Sequence, residues 1–425
     1  MVGQLPQSAD RQQIRPGQEI GWGSRLWHSA HEAVAEAERQ RSEPFRPECL
    51  TLYLNNECNL RCAYCYADPS PLPAARLEMR SVATAGELVA ENCRDKGLPF
   101  TNVFHGGGEP TFRLERLRRA LAVLDGVALA HQVQPFRYLA TNGLLPGEQA
   151  KWLAHRFDLV GLSCDGPAEI HDRQRPRWDG RGSLADLEHT AHILRQEGCP
   201  IHVRTTITRE TVDRQTEIAG YLCQQFRPEE IHFEPLYQGG RAGDGAELEA
   251  DRAEAFVAHL LEARAVARGY GIPLSIAGSR PGSIHGPHCN VFRQTLNLVP
   301  GGAATVCFKL NDAAQVVALG GRVGAPHTEA RRFEVDHRQV SILREQLAIE
   351  PPECAACFNR YHCARGCPDC CPLEDEESWL ACAGGGFRCR VQKSLTAAIL
   401  AETAERLWRD AQAEGTEDPR GAKIS

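Results

Sequence analysis

The sequence predicts an α/β protein built as a partial (β/α)6 TIM-like barrel with a C-terminal cysteine-rich domain behind it. Between Cys49 and about Ile276, short β-branched and apolar runs alternate with amphipathic stretches, as in a parallel sheet joined by crossover helices. Six such units leave a barrel open along one side, where eight would close it. After Ser275 the alternation stops and Gly, Pro, His and Cys take over, which puts a boundary near residue 277.

The 425 residues suffice for one barrel-sized domain and something further. Residues 1–45 form a polar lead-in, with a helical stretch around 26–41 that Pro44 stops. The barrel domain, 46–276, has predicted strands at 50–55, 101–105, 136–141, 158–164, 201–207 and 231–235. Its helices are predicted near 80–95, 113–125, 147–155, 183–197, 211–225 and 249–269. Residues 277–395 are the cysteine-rich domain, and 396–425 hold most of a terminal helix (390–412) and a tail that reads as disordered.

A formal charge of −7, with 48 Lys and Arg spread rather than massed, gives no basic surface for nucleic acid. No run of eighteen apolar residues occurs, and the N-terminus lacks a charged stretch followed by an apolar one. The protein is therefore expected to be cytoplasmic, neither secreted nor membrane-bound. Eighteen cysteines there are not a disulfide scaffold, because the cytosol keeps thiols reduced. They read as metal ligands, and ten of them follow residue 285. Cys49, Cys93, Cys164, Cys199 and Cys223 stand alone and read as small buried hydrophobes.

The chemistry-bearing residues sit on loops that leave the strands. Cys58, Cys62 and Cys65 fall within eight residues, directly after the first strand. Three clustered thiolates hold a metal centre: zinc would take a fourth Cys or His from the chain, whereas an iron–sulfur cluster with three leaves one iron open to a small molecule. The second strand is followed by His105 and the run Gly106-Gly107-Gly108-Glu109-Pro110, whose glycines let backbone approach a ligand and whose carboxylate suits an ammonium group. Thr141, Asn142, Ser163 and Asp165 end the third and fourth strands. They fit either ribose and carboxylate recognition or ordinary turn chemistry. Arg173 or Arg175 offers a fork for a carboxylate or a solvated surface charge. Glu234 ends the sixth strand, placed to bind ribose or substrate or to cap a loop.

The spacing C-x3-C-x2-C with Tyr64 before the third cysteine resembles the radical S-adenosylmethionine (SAM) superfamily. The resemblance implies a [4Fe-4S] cluster on Cys58, Cys62 and Cys65 whose open iron chelates SAM, one-electron cleavage of the sulfonium, and hydrogen abstraction by a 5′-deoxyadenosyl radical. Gly107, Gly108, Glu109 and Pro110 match the family's GGEP motif, which contacts the SAM amino group. The resemblance also implies an external low-potential donor of the flavodoxin or ferredoxin type.

The later cysteines run Cys289, twelve residues, Gly302, four residues, Cys307, then Cys354-x2-Cys357-x5-Cys363-x3-Cys367, with Cys382 and Cys389 beyond. They resemble the SPASM extension of that superfamily. This implies two auxiliary [4Fe-4S] clusters: an outer one on Cys354, Cys357, Cys363 and a closing cysteine, Cys389 before Cys382, and an inner one on Cys289, Cys307 and Cys367. Extra thiols at Cys370 and Cys371 leave the fourth inner ligand open. SPASM clusters accompany peptide or protein substrates, so the expected activity is modification of a residue in a ribosomally made peptide, giving a crosslink, an epimer or an oxidised product. Formylglycine formation in a sulfatase is an alternative, although that branch usually carries a carboxylate where Phe308 stands here. Oxidation of a small molecule is another, and a non-catalytic iron–sulfur electron carrier is the reading from a different class.

Overall fold

The computed structural model describes residues 35–414 apart from 36–37, 40–41, 71, 73–74, 238, 244–247, 279–288 and 328. The lead-in helix expected around 26–41, and the tail from 415 onward, lie largely outside the described residues. Seven strands run in sequence order and in parallel: β1 (Cys49–Leu52), β2 (Phe100–Phe104), β3 (Pro135–Thr141), β4 (Leu159–Ser163), β5 (Ile201–Ile207), β6 (Glu230–Pro235) and β7 (Leu274–Ile276). The connecting helices are α1 (Met79–Lys96), α2 (Leu114–His131), α3 (Gly147–Ala154), α4 (Ala168–Gln174), α5 (Leu184–Gln196), α6 (Gln215–Gln225) and α7 (Ala253–Gly269).

Each helix lays one apolar stripe on the sheet. In α1 the buried positions Val82, Ala85, Val89, Ala90 and Cys93 recur at helical spacing, and Gly97, left-handed at φ 65°, caps the end by donating its N–H to Arg94 and Cys93 carbonyls. Cys93, Cys164, Cys199 and Cys223 are buried in this same core.

The six expected strands are present with ends shifted by a few residues at most, and a seventh, β7, pairs with β6 from Ile231↔Leu274. The composition change near 277 alters connectivity without interrupting the sheet. β8 (Thr295–Leu298) returns to the free edge of β1 and pairs with it in parallel, Cys49↔Thr295 through Leu52↔Leu298. From there β9 (Ala304–Thr305), β10 (Arg322–Pro326) and β11 (Phe333–Val335) continue antiparallel. The sheet is open, with β7 and β11 as its edges.

Four short helices follow β8: α8 (Ala313–Ala318), α9 (His337–Leu347), α10 (Pro352–Ala355) and α11 (Glu376–Gly385). The terminal helix α12 (Phe387–Glu414) starts earlier than expected and carries Cys389, so a boundary at 395/396 falls inside it. It docks back on the barrel, Phe387 meeting Phe256 of α7 edge to face at 5.4 Å. Among the described residues no helix is long and apolar enough to cross a membrane.

Candidate active site

The loops after β1 and β2 are built as one unit. Gly108 N–H donates to the Asn55 carbonyl and Glu109 N–H to the Glu57 carbonyl, both at 2.8 Å, which lays the glycine run along the residues just before Cys58. Glu57 is buried beneath them and held by Arg113 at 2.6 Å and Arg76 at 3.0 Å. The approach is possible only without side chains: Gly107 has φ +64°, and a Cβ on Gly108 would lie 2.1 Å from the Glu57 carbonyl oxygen. Gly108→Ala should therefore destabilise the protein by about 1–3 kcal/mol through overpacking. A urea midpoint equal to that of the parent would refute this docking.

The three-cysteine loop is clamped by backbone. Arg61 and Ala63 N–H donate to the Pro176 and Gln174 carbonyls at 2.8 Å, Arg241 N–H to the Cys65 carbonyl at 3.0 Å, and the Trp178 indole to the Cys58 carbonyl at 3.0 Å. Two donors reach sulfur: Leu60 N–H at 3.4 Å and Asn142 Nδ2 at 3.8 Å, both to Cys58 Sγ. Burial pushes all three thiols up, Cys62 to about 12, with Arg175 and Arg241 pulling Cys62 the other way. Thiols kept neutral by burial become good ligands once a cationic centre displaces their protons.

The strand-end polar residues divide into two sets. Glu109 Oε1 accepts from Thr111 N at 3.0 Å and from the Thr111 and Thr141 hydroxyls at 2.7 Å, and its Oε2 accepts from Asn142 N at 2.8 Å. Asn142 in turn donates to Asn59 Oδ1 at 2.7 Å and accepts from Leu144 N at 3.0 Å. Asp165 is fully buried and accepts five hydrogen bonds: Tyr64 OH at 2.6 Å, Gln174 Nε2 at 2.9 Å, Arg175 Nε at 2.9 Å and Nη2 at 3.2 Å, and Thr206 N at 3.0 Å. Burial works against its charge, yet Arg175 and these donors hold its carboxyl below the usual range.

Both Asp165 oxygens are thus occupied by donors of the chain itself. Asp165 fixes Arg175, whose fork is turned onto it, and Tyr64, over whose ring Arg175 lies at 5.2 Å. Arg173 is on the surface, paired with Glu210 at 2.8 Å.

The second set lines a cavity of about 200 Å³ at the C-terminal ends of the strands. Tyr64, Ser163, Arg175 and Glu234 from the expected residues face it together with Cys62 and Cys65. Gly107, Gly108, Glu109, Pro110, Thr141 and Asn142 are not among the residues that line it. Residues without a role assigned from sequence complete the wall: His105, Arg204, and the aromatic triangle Tyr66, Tyr237 and Phe308, with ring centroids 6.0–6.3 Å apart.

Glu234 is ringed by basic side chains. Arg388 Nη1 is 3.3 Å from Oε1, and Arg204 Nη2 and His232 Nε2 are 3.7 and 3.6 Å from Oε2. Burial alone would raise Glu234, but His232 and Arg388 outweigh it and hold it down at about 2. Arg204 Nη1, His232 Nε2 and Glu234 Oε2 are buried with no hydrogen-bond partner among the described residues. Of these, Arg204 and Glu234 line the cavity, and orphaned groups on a cavity wall are what a polar ligand would satisfy.

The later cysteines gather behind this wall. Cys354, Cys357, Cys363 and Cys389 neighbour one another, each charge adding to the burial that raises Cys354 and Cys363. Cys289, Cys307, Cys367 and Cys371 form a second such group. Cys382, the second candidate for the closing ligand, is bonded instead to Cys370, which leaves it no thiolate to offer. These are loose groups. Among the described residues no three His, Cys, Asp or Glu side chains are gathered as a single ion would hold them, whereas a cluster of several irons spreads its thiolates more widely. Arg388, one residue before Cys389, ties them to the cavity by donating to Asp369 Oδ1 and to the Pro235 carbonyl, both at 2.7 Å.

Residues 52–221 match the family model described as the Radical SAM superfamily. The chain is 26% identical over 196 residues to the cysteine-type anaerobic sulfatase-maturating enzyme of Clostridium perfringens, covering 43% of this chain and 50% of that one. It is 27% identical over 179 residues to the sporulation killing factor maturation protein SkfB of Bacillus subtilis, covering 41% of this chain and 40% of that one. The chain thus spans about half the length of the curated relatives it matches.

Among solved structures, native anSMEcpe with bound AdoMet superposes with a TM-score of 0.63 at 20% identity, covering 84% of this chain and 100% of that one. Streptococcus suis SuiB bound to precursor peptide SuiA gives 0.54 at 13%, covering 84% and 80%. These likenesses show the fold, an open parallel barrel shared along most of the chain. Residues 52–221 are thus similar to the Radical SAM superfamily, and part of the chain is similar in sequence to an anaerobic sulfatase-maturating enzyme and to SkfB.

Proposed function

We propose that this protein is a radical SAM enzyme that removes a hydrogen atom from a residue of a ribosomally made peptide, leading to a crosslink, an epimer or an oxidised residue. The observation that carries it is the cavity floored by Cys62 and Cys65 and walled by the orphaned polar atoms of Arg204 and Glu234. A [4Fe-4S] cluster held by Cys58, Cys62 and Cys65, with SAM on its open iron, would supply one-electron cleavage to a carbon radical. The chain's own contribution is placement. Asp165 locks Tyr64 and Arg175 beside the thiols, Arg204 and Glu234 offer donor and acceptor to a polar ligand, and Tyr66, Tyr237 and Phe308 keep the far wall apolar and exclude water. The names of the relatives, sulfatase-maturating enzymes and a killing-factor maturation protein, support a peptide or protein substrate. Cys354, Cys357, Cys363 and Cys389 are proposed to hold the outer auxiliary cluster, and Cys289, Cys307 and Cys367 to ligate the inner one.

The protein, reconstituted anaerobically with iron and sulfide and given a low-potential reductant, should convert SAM to 5′-deoxyadenosine and methionine. It should then change the mass of a short peptide encoded beside its gene. A fully loaded protein that leaves SAM intact would favour the electron-carrier reading. Formylglycine formation is the second reading, supported by the sulfatase-maturating relatives. Against it, the position after Cys307 presents the Phe308 ring to the cavity and no carboxylate. A cysteine-bearing sulfatase peptide should therefore return unmodified; its conversion to the aldehyde would make this second reading the correct one.

A further inference from the structure

We propose that Cys371 is the fourth protein ligand of the inner auxiliary cluster, closing it so that it passes electrons and binds no substrate; this rests on the function proposed above. Three segments meet to make the site. Asn290 N–H donates to the Val306 carbonyl at 3.2 Å, setting Cys289 beside Cys307. Lys309, two residues after Cys307, reaches across to the Pro368 carbonyl at 3.4 Å and to Glu374 at 3.1 and 3.3 Å, strapping the 367–374 segment over Cys307. That segment is itself a tight turn, with Glu374 and Asp375 N–H both donating to the Cys371 carbonyl at 3.1 Å.

The two adjacent cysteines part company there. Cys370 is bonded to Cys382 and packed against Trp379, whereas Cys371 packs against the main core, as Cys289 does. Cys371 is thereby left near Cys289, Cys307 and Cys367, close enough for its charge to reach each of them. Four thiolates satisfy all four irons of a cube, so none keeps a vacancy for a substrate thiol or amine.

The experiment uses the full chain with Cys58, Cys62 and Cys65 all changed to Ala, which isolates the auxiliary clusters. That protein should hold about eight irons with none open to cyanide; adding Cys371→Ala leaves the inner cube on three thiolates, so about one iron should be lost or become cyanide-sensitive in Mössbauer spectra, whereas Cys370→Ala should change neither. Finding neither a lost iron nor a new cyanide-sensitive site with Cys371→Ala would overturn the assignment while leaving the proposed function standing. A triple variant with no iron would remove the auxiliary clusters, and this inference with them. Should Cys371→Ala fail to fold, Mössbauer spectra of the triple variant with and without cyanide decide. They should be superimposable, and a single iron site that shifts on addition would mean an open iron and a wrong assignment.

Discussion

Cys62→Ala should abolish SAM cleavage and remove about four irons per chain, because it deletes the middle ligand of the trio and leaves a cluster with two protein thiolates. The side chain is small, so the substitution barely changes the volume of the loop, and the clamps from Arg61, Ala63, Arg241 and Trp178 are backbone-directed and persist. The fold should survive while the chemistry does not. Far-ultraviolet circular dichroism near that of the parent, with 5′-deoxyadenosine at the level of a no-enzyme control, is the expected pair of results. Undiminished SAM cleavage would dismiss the trio as cluster ligands.

Arg388→Met should be the most damaging change to stability. Arg388 is 2% exposed at its side chain and lies against two carboxylates, Glu234 at 3.3 Å and Asp369 at 2.7 Å. Removing the cation strands both, and losing one partner of a buried ion pair costs about 3–5 kcal/mol. Acid dependence should change as well. Glu234 sits at about 2 in the fold against 4.5 in its ordinary state, so its stabilisation is present above about pH 4.5 and is lost as the pH falls towards 2. Without Arg388 its folded value moves up and that loss shrinks, giving a flatter stability curve between pH 5 and 2 on top of a lower plateau. Denaturation midpoints measured over that range separate the outcomes. A variant within 1 kcal/mol of the parent at pH 7 would mean that the network contributes little.

The elements that repeat locally were legible from residue order. Six strands and their helices announce themselves through period-2 and period-3.6 patterns, whereas β7 has only three residues and shows no period. The return of β8 to β1 was hidden for another reason: register between segments about 245 residues apart leaves no mark in either. In the site, Cys58–Cys65 and Gly107–Pro110 could be read because their chemistry is contiguous. Arg204 was missed although β5 carried a signal. His202, Arg204 and Thr206 alternate with the buried Ile201, Val203, Thr205 and Ile207, and a polar face on a central parallel strand points to a polar cavity. Glu109 and Asp165 show the opposite limit. Their carboxylates were visible, but whether an oxygen is free or already taken by Thr111, Asn142 or Thr206 depends on neighbours brought in by other strands.

The pairing of β8 with β1 bears on how this polypeptide can be divided. Severing it near residue 277 would strip β1 of its outer neighbour and lay bare a row of main-chain donors and acceptors beside the cysteine loop, a template for sticking to other chains. During synthesis, too, that flank stays uncovered until the ribosome has added roughly 250 more residues after β1.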